Sequence, residues 1–142
     1  MSELNLLAGT LLYHGTDRSD ADEVSVTGRH AFWLAATREL AQNQALRNRT
    51  GTPRIFVYRL KSDLTLPAVR TTEDVRALLK TYELWVTEDE LLQASAIAAN
   101  LPGWAYPDAN PQGAFIKLFD TRMLEYVETH TLDRASVLGS EA

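Results

Sequence analysis

Short apolar runs alternate with polar, turn-rich segments along the chain, and this alternation predicts an α+β domain. Residues 11–13 and 54–60 have the length and the aromatic and β-branched content of buried strands. The centre of the segment 31–35 is also strand-like, and side chains alternate along a strand. Phe32 and Trp33 are therefore expected to face opposite sides, so that only one of them can line a pocket.

Helix signals occur at three places. Thr37 is a predicted N-cap, and the helix after it runs to about Asn48 with one face formed by Leu40, Ala41, Gln44 and Ala45. A second helix is predicted from Thr72, because acidic residues occupy its first turn and Val75, Leu78 and Leu79 form an apolar face. A capping box at 87–90 predicts a third helix that stops before Pro102.

Three segments are expected to lie outside regular structure. Residues 17–28 are polar and acidic, which favours a surface loop or one helical turn. Residues 101–113 contain three prolines and two glycines and are predicted to form a loop, whose Trp104 and Tyr106 either bind a partner or anchor it to the core. The segment 133–142 is predicted to be a flexible tail behind a single domain at 1–132.

Composition narrows the function classes. The absence of cysteine excludes disulfides and thiolate metal sites, and the three histidines lack the close spacing of a zinc site. No signal peptide or membrane span is evident, so a soluble protein is expected, either cytoplasmic or delivered into the cytoplasm of a host cell. A net charge of −5 opposes binding to nucleic acid and to anionic membranes. The basic cluster Arg47, Arg49 and Arg54 is interpreted as a solvated helix end, with a pyrophosphate contact as the alternative.

The segment Tyr13-His14-Gly15-Thr16 carries the most specific signal. It places an imidazole at a strand edge beside a glycine, which would let a ligand approach the backbone. The aromatic segment 31–35 follows after a polar spacer, and together the two motifs suit a bound dinucleotide. The simpler interpretations are that His14 hydrogen-bonds to backbone at a strand end and that Trp33 belongs to the core.

These motifs resemble the ADP-ribosyltransferase superfamily, in its His-Tyr-Glu branch of diphtheria toxin and the poly-ADP-ribose polymerases. The resemblance implies a split β-sheet with flanking helices and NAD as substrate. It implies that His14 orients the nicotinamide ribose, that the Gly15 backbone faces the carboxamide, and that Trp33 packs against the nicotinamide. Thr16, Ala35 and Gln44 complete the implied NAD site, and the segments 54–60, 63–66, 114–120 and 123–127 resemble later strands of the fold.

The chain departs from the family pattern at two positions. Gln44 stands where the stacking tyrosine is expected, and Phe115 stands where the catalytic glutamate is expected. A short slip brings Gln112 near the second position, whereas a different strand register offers Glu125 or Glu128. We take His14, Trp33 and Gln112 as the predicted catalytic residues, and the register that offers Glu125 or Glu128 remains open.

The resemblance implies an NAD-dependent mono-ADP-ribosyltransferase, or an NAD glycohydrolase, acting on a protein target as a phage or bacterial effector or toxin. The alternative is an inactive pseudoenzyme that keeps the fold and serves as a protein-binding module. RNA 2′-phosphotransferase chemistry ranks last, because it requires basic grooves and the chain is acidic.

Overall fold

The computed structural model of the chain describes residues 3–16, 32–47, 51–84, 96–109 and 113–133. The helices in these ranges are α1 (Arg38–Leu46), α2 (Thr72–Thr81) and a 3-10 turn at Thr121–Met123, and residues 96–98 are also helical. The strands are β1 (Glu3–Leu6), β2 (Leu11–Thr16), β3 (Phe32–Ala35), β4 (Arg54–Leu60), β5 (Leu64–Pro67), β6 (Gly103–Ala109), β7 (Gly113–Leu118) and β8 (Leu124–Thr131).

The described strands form two antiparallel sheets. The larger has six strands in the order β6-β7-β3-β2-β4-β8, and the smaller pairs β1 with β5. The architecture is therefore α+β with a mostly antiparallel sheet, in agreement with the class that the sequence predicts. The order places β2 and β3, which carry the two sequence motifs, at the centre of the larger sheet.

The two faces of the larger sheet are covered differently. On one face Leu12, Phe56 and Tyr58 pack in a core that also includes Leu64 and Leu66 of the small sheet. The opposite face is covered by α1 over β2 and β4, and by α2 with residues 96–98 beside β6. The alternation of side chains along each strand thus supplies a core on both sides of the sheet.

Both helices begin where the sequence predicts. The Thr37 hydroxyl accepts a hydrogen bond from the Leu40 amide at 3.3 Å, which caps α1. Thr71 and Asp74 form a reciprocal capping box at the start of α2. These caps satisfy backbone donors of the first turn, which explains why local sequence is enough to locate the two helix starts.

The predicted loop at 101–113 is wrong over much of its length, because Gly103–Ala109 is strand β6. Trp104 is 3% exposed and packs edge-on against Phe119, so it anchors the segment to the core. The strand tolerates Pro107 because β6 lies at the edge of the sheet, where a missing N–H costs no ladder bond.

Three predictions fall wholly or partly outside the described residues: the loop at 17–28, the first part of the third helix, and the tail beyond residue 133. Within the described part of the chain, no helix is long and apolar enough to cross a membrane.

Candidate functional site

The larger sheet is split at its centre, between β2 and β3. Among the described residues, one residue pair is formed between these strands, Tyr13 opposite Ala35. Strand β2 instead pairs with β4 along its whole length, from Leu11 to Thr16. Beyond Tyr13, β2 and β3 thus follow separate partners. The split opens a gap between the two sequence motifs.

His14 spans this gap. Its Nδ1 lies 2.7 Å from the carbonyl oxygen of Trp33, and its ring packs 4.4 Å from the ring of Phe32. A carbonyl only accepts, so Nδ1 carries the proton and donates it, which leaves Nε2 as a hydrogen-bond acceptor in the neutral ring. Burial lowers the pKa of His14 below its ordinary value, and the bond to Trp33 offsets this only in part. The imidazole is therefore neutral at physiological pH.

A cavity of about 450 Å³ opens at the split. Its described lining comes from β2, β3, α1 and β7 and consists of Tyr13, His14, Gly15, Trp33, Leu34, Ala35, Ala41, Gln44, Arg47 and Phe115. The volume lies within the range of small-molecule sites, roughly 300–1,000 Å³. Arg47 is the charged side chain of the described lining, and none of the described lining residues has a carboxylate.

Gly15 is required at its position by α1. A Cβ built on Gly15 would lie 1.8 Å from the carbonyl oxygen of Ala41, so the helix backbone occupies the space that any side chain would need. The close approach on the Cα side of Gly15 is made by α1, and the approach of a ligand to the Gly15 backbone stays a prediction. Gly15 still lines the cavity.

Trp33 forms one aromatic wall of the cavity. Phe32 is 6% exposed in the core, whereas Trp33 is 44% exposed, so Trp33 is the residue of the pair that faces the site. Its ring stacks on Tyr106 of β6 at 5.5 Å and meets the edge of Phe115 at 6.4 Å. The Lys117 ammonium lies 4.7 Å from the centre of the Trp33 ring.

The structure brings together most of the predicted site residues. His14, Gly15, Trp33, Ala35 and Gln44 all line the cavity. Thr16 does not: it is 9% exposed at the end of β2 and is absent from the lining. Gln112 lies outside the described residues, so its catalytic role stays a prediction.

The positions considered for a catalytic carboxylate lie in different parts of the structure, one at the cavity and two on β8. Phe115, which the sequence resemblance aligns with a catalytic glutamate, lines the cavity. Glu125 and Glu128 lie on the edge strand β8, where Glu125 pairs with Arg59 at 3.3 Å and Glu128 contacts His130 at 2.8 Å. Strand β4 lies between β8 and β2, and neither glutamate lines the cavity. The register that offered Glu125 or Glu128 to the site is therefore not the observed one.

Two residues contribute to the cavity or its wall although neither is among the predicted site residues. Arg47, with a solvated helix end as the preferred interpretation and a pyrophosphate contact as the alternative, lines the cavity one turn after Gln44, and this spacing on one helix face is the available signal. Tyr106 was assigned to a loop, and its contact with Trp33 depends on the pairing of β6 with β7. Among the described residues, no group of three or more histidine, aspartate or glutamate side chains could hold a metal ion.

The sequence matches no family model, and no curated protein is significantly similar to it. The fold is similar to that of a chain in the crystal structure of the M. tuberculosis MbcT–MbcA toxin–antitoxin complex. The TM-score is 0.56 at 14% sequence identity, and the match covers 95% of this chain and 90% of that chain. At this identity the likeness concerns the fold alone.

Proposed function

We propose that the cavity binds NAD and that the chain cleaves the bond between nicotinamide and ribose, as a toxin-type effector that transfers ADP-ribose to a protein target or to water. One observation carries the proposal: His14 is held neutral across the gap between β2 and β3, in a cavity with aromatic walls.

The fixed tautomer of His14 supports recognition of a ribose. A neutral imidazole that donates through Nδ1 to Trp33 accepts through Nε2, and a ribose hydroxyl is a suitable donor. A protonated histidine could not accept this bond and would repel the positive charge that develops on the ribose during cleavage. The lowered pKa of His14 therefore suits this chemistry.

The remaining lining suits the other parts of NAD. Trp33 and Phe115 offer apolar surface to a planar ring, and Arg47 offers a cation to a phosphate group. Gln44 adds an amide that can exchange hydrogen bonds with a carboxamide or a hydroxyl. These contacts are part of the proposal.

The proposed reaction breaks the bond between the nicotinamide nitrogen and the ribose carbon. The electron pair goes to nicotinamide, which leaves as a neutral molecule, and the ribose carbon is captured by a nucleophile that loses a proton. The described lining has no carboxylate to stabilise the cation, and a glutamine at 112 would supply none. We therefore propose slow hydrolysis or transfer of one ADP-ribose rather than polymer synthesis.

The shared fold supports the effector role. The similar chain belongs to a toxin–antitoxin complex, in which a toxin assembles with a protein antitoxin. By analogy we propose that this chain acts on a cellular target and has a protein partner.

The test is a calorimetric titration of NAD into the intact protein and into His14→Ala, with folding checked by circular dichroism. His130→Ala is the matched control, because His130 lies on β8 and does not line the cavity. We expect binding that is lost in His14→Ala and kept in His130→Ala. Absence of binding by the intact protein would contradict the proposal.

A second measurement separates turnover from binding. Nicotinamide release is followed by chromatography with NAD alone and with cell lysate, for the intact protein, His14→Ala and Gln112→Ala. We expect release that falls in both His14→Ala and Gln112→Ala. Tight binding without any release would instead favour the binding-module alternative.

A further inference from the structure

Aromatic side chains from three neighbouring strands lie on one face of the larger sheet. Ala35 of β3 and Tyr106 of β6 both lie opposite Phe115 of β7. Residues that lie opposite one another in a ladder share a face, and so do residues two apart along a strand. Trp33 stands two residues before Ala35 and is therefore on the same face as Tyr106.

The ring of Tyr106 supports the ring of Trp33. The two rings stack with centroids 5.5 Å apart and planes inclined by 28°, and Phe115 meets Trp33 edge-on at 6.4 Å. Trp33 lines the cavity and is 44% exposed, whereas Tyr106 is half-buried and is not among the described lining residues. We therefore expect an effect of Tyr106 on a ligand to pass through Trp33.

Tyr106 is itself anchored to the core. Its hydroxyl oxygen accepts a hydrogen bond from the indole Nε1 of Trp104 at 2.9 Å. Trp104 is buried, packs edge-on against Phe119 at 4.8 Å and belongs to the core cluster that includes Leu78 of α2. A line of contacts thus runs from this cluster through Trp104 and Tyr106 to the exposed ring of Trp33.

We infer that Tyr106 is a positioning residue of the cavity, which holds the Trp33 indole in place as a preformed wall for the aromatic ring of a ligand. The inference rests on the proposed function for its ligand, NAD, and adds the residue that fixes the orientation of Trp33. A side chain that is already ordered loses little conformational freedom when a ligand binds, whereas ordering a mobile one weakens binding by roughly twofold to tenfold.

The support acts on binding rather than on the chemical step. In the proposed reaction Trp33 contacts the nicotinamide ring both in the reactant and in the transition state, because the ring departs only after its bond to ribose has broken. An interaction that is equal in both states lowers KM without raising kcat. Loss of the Tyr106 ring is therefore expected to raise KM and to leave kcat nearly unchanged.

The experiment begins with Tyr106→Leu, which removes the stacked ring. Tyr126→Leu is the matched control, because Tyr126 lies on the opposite outer strand of the described sheet, forms a hydroxyl hydrogen bond with Thr129 and does not line the cavity. In Tyr106→Leu we expect the dissociation constant and KM for NAD to rise roughly threefold to tenfold, with kcat for nicotinamide release within about twofold of the wild type. In Tyr126→Leu we expect all three within about twofold of the wild type.

Tyr106→Phe separates the support of Trp33 from general stability. It loses the hydrogen bond to the buried Trp104 indole, so we expect a lower Tm. It keeps the stacked ring, so we expect KM within about twofold of the wild type. Tyr106→Val, whose side chain suits a strand, replaces Tyr106→Leu if the leucine variant does not fold.

A double-mutant cycle tests whether Tyr106 acts through Trp33. Trp33→Leu removes the wall itself, so that adding Tyr106→Leu has nothing further to loosen. We expect the dissociation constant of the double variant to match that of Trp33→Leu within about twofold. Losses that multiply in the double variant would contradict the inference, because Tyr106 would then act on the ligand by another route.

A measurement without ligand keeps the inference separate from the proposed function. The chain has three tryptophans, and in protein labelled with fluorinated tryptophan the Trp33 signal in the fluorine NMR spectrum is assigned by its loss in Trp33→Phe. We expect the transverse relaxation rate of this signal to fall by roughly a third in Tyr106→Leu, because the indole becomes mobile, and to stay unchanged in Tyr126→Leu.

The outcomes separate the two proposals. If the intact protein binds no NAD while the Trp33 indole becomes mobile in Tyr106→Leu, the proposed function fails and the support of Trp33 by Tyr106 stands. If NAD binds and Tyr106→Leu changes neither KM nor the relaxation of Trp33, the NAD site stands and the role of Tyr106 is contradicted.

Discussion

Gly15 and Ala41 lie at a close approach between the central strand β2 and helix α1, since a Cβ on Gly15 would lie 1.8 Å from the Ala41 carbonyl oxygen. We expect Gly15→Ala to push α1 away from the sheet and to lower the free energy of unfolding by about 3 kcal/mol, at the upper end for overpacking. Urea denaturation of the wild type and of Gly15→Ala measures this difference in the free energy of unfolding.

Gly9→Ala is the matched control for Gly15→Ala. Gly9 has φ +88 and nothing within 4 Å of the built Cβ, so alanine there meets backbone strain but no clash. We expect a cost of roughly 1–2 kcal/mol. A Gly15→Ala protein as stable as the wild type would contradict the packing of α1 on β2.

The lowered pKa of His14 predicts how stability depends on pH. Because burial lowers this pKa in the folded state, the unfolded state takes up the proton first as the pH falls. The contribution of His14 is complete above its unfolded value of about 6.5 and is lost as the pH falls towards the lower folded pKa.

We therefore expect unfolding free energies to decrease from about pH 8 to about pH 5, and to decrease less in His14→Gln. The measurement is urea unfolding of both proteins across this range. Equal pH profiles for the two proteins would show that His14 is not held neutral by the fold.

The end of α2 offers a stabilising substitution. Glu83 has φ 54, a left-handed conformation, and the following Leu84 amide bonds to the Leu79 carbonyl at 2.9 Å. We expect Glu83→Gly to raise the free energy of unfolding by about 0.5–1 kcal/mol, because glycine adopts this conformation without strain.

Lys80→Gly, in the last turn of α2, serves as the comparison for Glu83→Gly. There the conformation is helical, and we expect a loss of about 1 kcal/mol. Thermal unfolding of both variants should give shifts of opposite sign, and a loss of stability in Glu83→Gly would contradict the assigned cap.

The two glutamates of β8 are predicted to be dispensable for chemistry. Glu125 and Glu128 contact Arg59 and His130, with β4 between them and the strand of His14. We expect Glu125→Gln and Glu128→Gln to release nicotinamide at rates within about twofold of the wild type, since neither reaches the cavity. A loss of about a hundredfold in either variant would place a β8 carboxylate in the reaction after all.

Local sequence was sufficient for the helix starts and for β4. Thr37 and Thr71 supply the caps through their own side chains, and Arg54–Leu60 carries an apolar run that suits a strand covered on both faces. In these segments the signal and the structure depend on the same few neighbouring residues. The clustering of His14 and Trp33 was likewise visible in the order of the two motifs.

Long-range pairing explains what the sequence did not predict. The prolines and glycines around Trp104 suggested a loop, but the edge position of β6 tolerates Pro107, and Gly103 admits the backbone of Lys117, whose oxygen would lie 2.2 Å from an added Cβ. The place of Glu125 opposite Arg59 depends on a register that no single segment encodes.

Among the residues that the structure describes, the split between β2 and β3 is also an unpaired strand edge inside a sheet, the kind of edge that invites a foreign strand and aggregation. The His14 imidazole donates a hydrogen bond to the Trp33 carbonyl oxygen at that edge. A side chain thus takes the place that a backbone amide of an added strand would need at this carbonyl.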